Sequence, residues 1–261
     1  MKKLYSPKVV REIIDLYNFN FKKSLGQNFL IDKNFVDKII DAADIENQNV
    51  LEIGPGIGTI TYEMAKLAKK VVAIEIDQSL IPILDENLEE FDNAKVINQD
   101  ILKTDLKKLV EEEFNGESFK VVSNLPYYIT TPIIEMLITT GLPCENMTIM
   151  VQKEVAERMV ADEKSKDYSS LSVFMPQPKI DSTILNLKLR IYDENVNQDL
   201  LFKLVRAGFN KRRKTILNSM SDVIEKDKLK ETFAKVNLAE NLRAENLSLD
   251  DFIKLSNELS W

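Results

Sequence analysis

The chain has 261 residues, 44% of them apolar and 30% charged, which suits one sizeable α/β core or a core plus a small appendage. It holds no histidine and a single cysteine, Cys144, so Ser-His-Asp and Cys-His nucleophilic machinery, histidine-ligated metals, multi-cysteine zinc sites and an intrachain disulfide framework are all excluded. A net charge of −7 argues against a generic nucleic-acid binder, and no apolar run reaches membrane-spanning length.

The opening MKKLYSPKVVREIIDLY lacks the long apolar stretch of a signal peptide, so the expected location is cytoplasmic. Charge is unevenly spread. The first 31 residues carry six cations against two acids, and residues 85–92, DENLEEFD, are strongly acidic. Between 200 and 220 stand Lys203, Arg206, Lys211, Arg212, Arg213 and Lys214 with no acid, so one face can be basic although the whole is not.

DKNFVDKIIDAAD (32–44) places Phe35, Val36, Ile39, Ile40 and Ala43 on one helical stripe, with Asp32 as a plausible N-cap. Short β-rich runs follow: 49–53, 71–75, 95–98, 119–123 and 147–151, with helical patterns between them, for example 59–68 and 131–138. Strands alternating with helices predict an α/β fold with a parallel sheet covered on both faces. STILNLKL (182–189) alternates with period two and reads as a sixth strand, and beyond about residue 196 the pattern is helical. The expected division is a catalytic domain over 1–192, with an N-terminal extension over 1–21, and a small helical domain over 193–261.

LEIGPGIGT joins the first strand to a helix, the position at which α/β sheets bind nucleotides. Glu75 ends the second strand, 21 residues after Gly54, a spacing suited to a ribose-binding carboxylate. A dinucleotide and S-adenosylmethionine both carry a ribose. The loop separates them: Pro55 removes one N–H that a pyrophosphate needs, the glycines read G-x-G-x-G, and Glu52 adds a carboxylate that suits a cationic ammonium and sulfonium. Asp100, after the third strand, fits either an acceptor for the adenine amino group or a helix N-cap.

The fourth strand stops at Asn124, followed by Leu125, Pro126, Tyr127 and Tyr128. An aromatic amine is a poor nucleophile because its lone pair is delocalised into the ring. Two acceptors, the Asn124 side-chain oxygen and the Leu125 carbonyl, would hold and polarise it; Pro126 stiffens that geometry and Tyr127 can stack on an extruded base. Carbon methylation would want a nucleophilic cysteine, and Cys144 sits elsewhere, in TGLPCEN.

From about Lys22 onward the chain resembles the ribosomal RNA adenine N6,N6-dimethyltransferases, and within them the dimethyladenosine transferases of small-subunit (16S) rRNA. The resemblance rests on KKSLGQNFLID, LEIGPGIG, IEID, QDIL, NLPYYITTP, MVQKEVAERMVA, FMPQPKIDS and FNKRRKTILNS. It implies a Rossmann-like S-adenosylmethionine-dependent sheet and a helical C-terminal domain that grips RNA through Lys211, Arg212, Arg213 and Lys214. It also implies that Gln27, Asn28 and Leu30 line the cofactor's methionine end, that Gly54 and Gly56 approach the cofactor, and that Glu75 takes the ribose, Asp100 the adenine and Asn124 both cofactor and substrate. Phe174 then looks like the second aromatic, opposite Tyr127. The expected partner is 16S rRNA or an immature small ribosomal subunit, the expected state a monomer, and no metal is implied. A resistance-type methyltransferase of large-subunit rRNA and an assembly factor with dispensable catalysis are the competing readings; FNKRRKTILNS favours the first reading over the resistance type.

One departure stands out. In relatives, SSLSVF runs on through a helix and a strand before a second Phe opens FMPQPKIDS, whereas here Phe174 ends one phrase and begins the next. A strand-sized stretch is absent, and 182–189 is expected to pair beside 147–151 as the sheet edge.

Overall fold

The computed structural model describes residues 2–260 except 23, 24, 28, 126–128, 152, 175–178, 182, 183, 189–194 and 212. Its contacts divide the chain into two compact units, Met1–Lys153 with Lys179–Leu189, and Glu154–Pro178 with Arg190–Trp261. The boundary expected near residue 192 therefore shifts: 154–178 groups with the helical residues and not with the sheet.

The first unit holds a seven-stranded sheet built from β1 (Asn49–Ile53), β2 (Lys70–Glu75), β3 (Ala94–Asn98), β4 (Phe119–Ser123), β5 (Cys144–Met150), β6 (Lys179–Asp181) and β7 (Ile184–Lys188), in the order β3-β2-β1-β4-β5-β7-β6. Neighbours from β3 to β5 are parallel, and β7 runs antiparallel to β5. Every residue of β1 and β4 is buried, as expected of central strands with crossover helices, while β3 at one edge is largely half-buried or exposed.

The helices of this unit are α1 (Pro7–Leu16), α2 (Lys33–Ala43), α3 (Thr59–Ala65), α4 (Ile81–Leu88), α5 (Leu106–Phe114) and α6 (Thr130–Thr139). Asp32 caps α2 as expected, accepting from the Asn34 N–H at 2.8 Å. Ile39 and Ala43 of α2 pack with Ile60 and Met64 of α3 onto Val50, Val71 and Val122 of the sheet. The N-terminal extension is no appendage. Leu4, Val10 and Phe19 are buried with Ile57, Tyr62, Ile83 and Leu84 in one cluster, and the Thr59 hydroxyl donates to the Leu4 carbonyl at 3.3 Å.

The expectation that the last strand becomes the sheet edge is corrected. Lys179–Asp181 pairs antiparallel on β7, Ile180 opposite Leu185, so β6 is the edge. A bare β7 would leave its outer row of N–H and C=O groups open to stray pairing, and three residues covering it blunt that edge. The Phe174–Met175 junction lies outside the described residues.

The second unit contains α7 (Lys153–Met159), α8 (Ser170–Phe174), α9 (Gln198–Asn210), α10 (Ile216–Met220), α11 (Lys226–Lys235) and α12 (Leu249–Leu259). Leu201, Leu204 and Val205 of α9 are buried, as are Ile216, Phe233, Phe252 and Leu255. Gly208 permits a tight approach: a Cβ there would sit 2.8 Å from Ile216 Cδ1. Lys203, Arg206, Lys211, Arg213 and Lys214 are all exposed, with Lys211 paired to Asp222 at 2.5 Å. Arg212 lies outside the described residues.

Candidate cofactor and substrate site

The order of strands reverses between β1 and β4, so crossovers leave in opposite directions there and open a crevice at their carboxyl ends. Gly54, Gly56 and Gly58 leave β1 with φ of +70, +62 and +87°. Alternate left-handed residues are what G-x-G-x-G supplies, since a side chain is strained at each. A Cβ on Gly56 would also lie 3.2 Å from the Phe29 ring, whereas one on Gly54 would meet nothing within 4 Å. The three glycine N–H groups are engaged within the fold: Gly54 donates to the Ile74 carbonyl at 2.9 Å, Gly56 to Glu75 Oε2 at 3.3 Å and Gly58 to the Pro55 carbonyl at 3.0 Å. A pyrophosphate would need them free.

One cavity collects Gln27, Leu30, Gly54, Gly56, Glu75, Asp100 and Asn124. These come from five separate segments of the sequence. Asn124 follows β4 directly, and its neighbour Ser123 donates its hydroxyl to the Ile53 carbonyl, tying the ends of β4 and β1 together. Of the two sequence readings of Asp100, the cap is observed. Asp100 lines the cavity and also caps a short 3₁₀ turn, accepting from the Leu102 N–H at 3.0 Å. Sequence reasoning did not single out Ile76 and Leu102, which line the same cavity while 50% and 46% exposed. Their only signal is position, just past the acids that end β2 and follow β3.

Asn28 and Tyr127 lie outside the described residues. Phe174 belongs to the second unit. It is 1% exposed, and its ring meets Phe202 of its own unit edge-on at 4.8 Å. Gln27 lines the cavity, and its amide also bonds within the fold: Nε2 donates to Asp77 at 2.6 Å and Oε1 accepts from the Lys22 N–H at 2.8 Å. Cys144 opens β5, and burial pushes its thiol up to about 12, which leaves no thiolate at neutral pH.

Two buried carboxyl groups share the cavity wall. Burial raises Glu75, although the Asp77 and Gly56 N–H groups that it accepts oppose the rise. Glu52 is 1% exposed, accepts one hydrogen bond from the Thr61 hydroxyl at 2.5 Å, and is pushed by burial to about 8, with Glu75 adding to the rise. The charge inferred beside the loop is therefore mostly absent in the free protein at neutral pH; Glu52 holds a proton there. The folded state binds this proton and the unfolded chain releases it near 4.5, so the Glu52 contribution is intact below that pH and is lost progressively as pH rises to about 8. Glu52→Gln, which keeps the shape and an acceptor for Thr61, is expected to match the wild type near pH 5. At pH 9 it is expected to be more stable, by on the order of a few kcal/mol. Thermal melts of both proteins from pH 5 to 9 check this, and a constant difference across the range would contradict it.

The family model described as ribosomal RNA adenine dimethylase matches residues 18–175 and again residues 172–260. A ribosomal RNA small subunit methyltransferase A from Clostridioides difficile is 47% identical, with 98% of this chain and 97% of the relative covered. The one from Alkaliphilus oremlandii is 45% identical, covering 100% and 99%. A crystallised dimethyladenosine transferase from Plasmodium falciparum superposes with a TM-score of 0.68 at 28% identity, over 88% of this chain and 96% of that one. The alignment with the Clostridioides protein runs over 281 positions, 20 more than the 261 residues of this chain. Relatives therefore carry residues that this chain lacks, and the family match breaks at 172–175, where Phe174 stands.

Proposed function

Because the chain belongs to the ribosomal RNA adenine dimethylase family, we propose that its cavity performs S-adenosylmethionine-dependent N6,N6-dimethylation of adenosines in 16S rRNA, as part of small-subunit biogenesis. The observation that carries the reading is convergence: residues chosen from the sequence for separate cofactor and substrate contacts line one cavity at the reversal of strand order. The names of the full-length relatives favour the small subunit over the large.

The residues present fit this cofactor better than a dinucleotide. The glycine N–H groups are already bonded, while the open space above Gly54 and the carboxyl groups of Glu75 and Asp100 suit a nucleoside that needs acceptors. When bound, S-adenosylmethionine supplies a methyl group activated by its sulfonium charge. We assign Glu75 to the ribose hydroxyls, Asp100 to the adenine amino group, and Ile76 with Leu102 to the faces of the adenine ring; all four line the cavity. Asn124 and the Leu125 carbonyl accept from the N–H groups of the target amine and aim its lone pair, and Tyr127 stacks on the extruded base. Near-attack alignment of this kind can supply roughly 7–11 kcal/mol without a proton shuttle.

The helical unit is the proposed rRNA-gripping part, acting on an immature subunit as a monomer in the cytoplasm. No helix among the described residues is long and apolar enough to cross a membrane. Replacing Arg213 and Lys214 by alanine is expected to weaken rRNA binding. It should also flatten the salt dependence, by roughly 0.7–0.9 log units of slope for each phosphate that is no longer neutralised. Filter-binding titrations across salt check this, and an unchanged slope would return these cations to an ordinary solvated face.

The reaction itself is tested by offering labelled methyl donor with naked 16S rRNA, immature small subunits and 23S rRNA. Dimethyladenosine in small-subunit RNA is expected. Label confined to 23S rRNA would favour the resistance type, and binding to pre-ribosomes without any transfer would favour the assembly factor.

A further inference from the structure

Asp77, two residues beyond the carboxylate at the end of β2, is absent from the roles assigned above, yet its side chain is 0% exposed and fully engaged. Its Oδ1 accepts from Lys22 Nζ at 2.6 Å, from the Ser79 N–H at 3.0 Å and from the Ser79 hydroxyl at 2.6 Å. Its Oδ2 accepts from Gln27 Nε2 at 2.6 Å. The Gln27 oxygen in turn accepts from the Lys22 N–H, closing a ring of contacts across about 50 residues of sequence. The segment so fastened supplies Leu25, Gly26, Gln27, Phe29 and Leu30 to the cavity wall. Phe29 presses on Gly56 and packs against Phe19 and Phe21 at 5.7 and 5.0 Å. The Asp77 N–H meanwhile donates to Glu75 at 2.8 Å, so one residue touches both the strap and the ribose-side carboxylate.

We propose that Asp77 is a positioning residue that, through Lys22 and Gln27, fastens the stretch Leu25–Gln27 in the wall of the cofactor cavity. Gln27 is then a tie in this strap as well as part of the cavity wall. Burial alone would raise the Asp77 carboxyl, but the hydrogen-bonded Lys22 ammonium, helped by Ser79 and Gln27, holds it at about 2. The tie therefore stays charged over the whole working pH range. The inference rests on the cofactor reading given above for the cavity.

The test compares the wild type with Asp77→Asn, Lys22→Met and Lys22→Arg. Binding of S-adenosylhomocysteine is measured by calorimetry, and backbone amide exchange of residues 19–27 is measured in the free proteins. Asp77→Asn and Lys22→Met are expected to weaken binding about tenfold or more and to speed exchange in that segment, while Lys22→Arg restores both. Lys22→Met leaves the Asp77–Ser79 contacts intact, so it answers the question even where Asp77→Asn does not fold. Wild-type affinity and wild-type exchange in Lys22→Met would overturn the proposal. A wild-type protein that binds no S-adenosylhomocysteine would overturn the cofactor reading instead, and the exchange data would still decide whether the strap is fastened.

Discussion

Asn124→Ala is expected to slow methyl transfer by roughly two to three orders of magnitude while leaving rRNA affinity nearly unchanged. The amine of adenine donates its lone pair to the ring, so its reactivity depends on acceptors that hold both N–H groups and turn the lone pair outward. Asn124 is placed for this by the sheet: β4 is buried throughout, Ser123 is bonded to the Ile53 carbonyl, and Leu125 is buried immediately after. Alanine leaves that backbone in place and removes the amide alone. RNA affinity is assigned to exposed cations of the helical unit and does not depend on this side chain. Single-turnover transfer from labelled cofactor, with RNA binding measured in parallel, separates the two quantities. A near wild-type rate would sink the proposed role, and an equal fall in RNA affinity would move Asn124 from the chemistry to the grip.

The parts of this site that could be read from the sequence share a physical property: each sits where a buried strand meets its turn. Gly54, Gly56, Glu75, Asp100 and Asn124 all follow or end an apolar run, and in a parallel sheet those positions must lie side by side at one rim. What could not be read depends on partners distant along the chain. Lys22 and Gln27 meet Asp77 across 55 and 50 residues, with no period or spacing to announce it. The protonation of Glu52 follows from burial on β1, and a sequence shows a carboxylate there without its solvent. The extension over residues 1–21 carries an apolar stripe, but only the packed structure shows Leu4 and Val10 buried against Ile83 and Leu84. The three-residue β6 is too short for any alternation to register, and it exists because β7 offers an open edge.

Restoring the stretch that relatives carry at Phe174 is expected to raise methyl transfer at least tenfold without changing cofactor affinity. The described wall residues of the cofactor cavity all precede residue 130, well before the break in the family match at 172–175, so cofactor affinity is expected to stand without the missing residues. The target base is different. By resemblance it is held between Tyr127 and an aromatic from the phrase that Phe174 opens, yet Phe174 ends α8 and is packed against Phe202. Freeing that ring would expose a buried side chain and leave a void beside Phe202, a cost of about 3–5 kcal/mol for a ring of this size. With that ring held against Phe202, the proposed stacking falls to Tyr127, and misplacement by about 1 Å is enough to cost a hundredfold in rate. The experiment inserts the corresponding residues of the Clostridioides difficile relative between Phe174 and Met175. Transfer to immature small subunits is then compared with S-adenosylhomocysteine binding in both proteins. Equal rates would mean that the chain places its base without that stretch, with Tyr127 alone or with an aromatic not yet assigned. A rise in rate that comes with tighter cofactor binding would place the missing residues at the cofactor instead of the base.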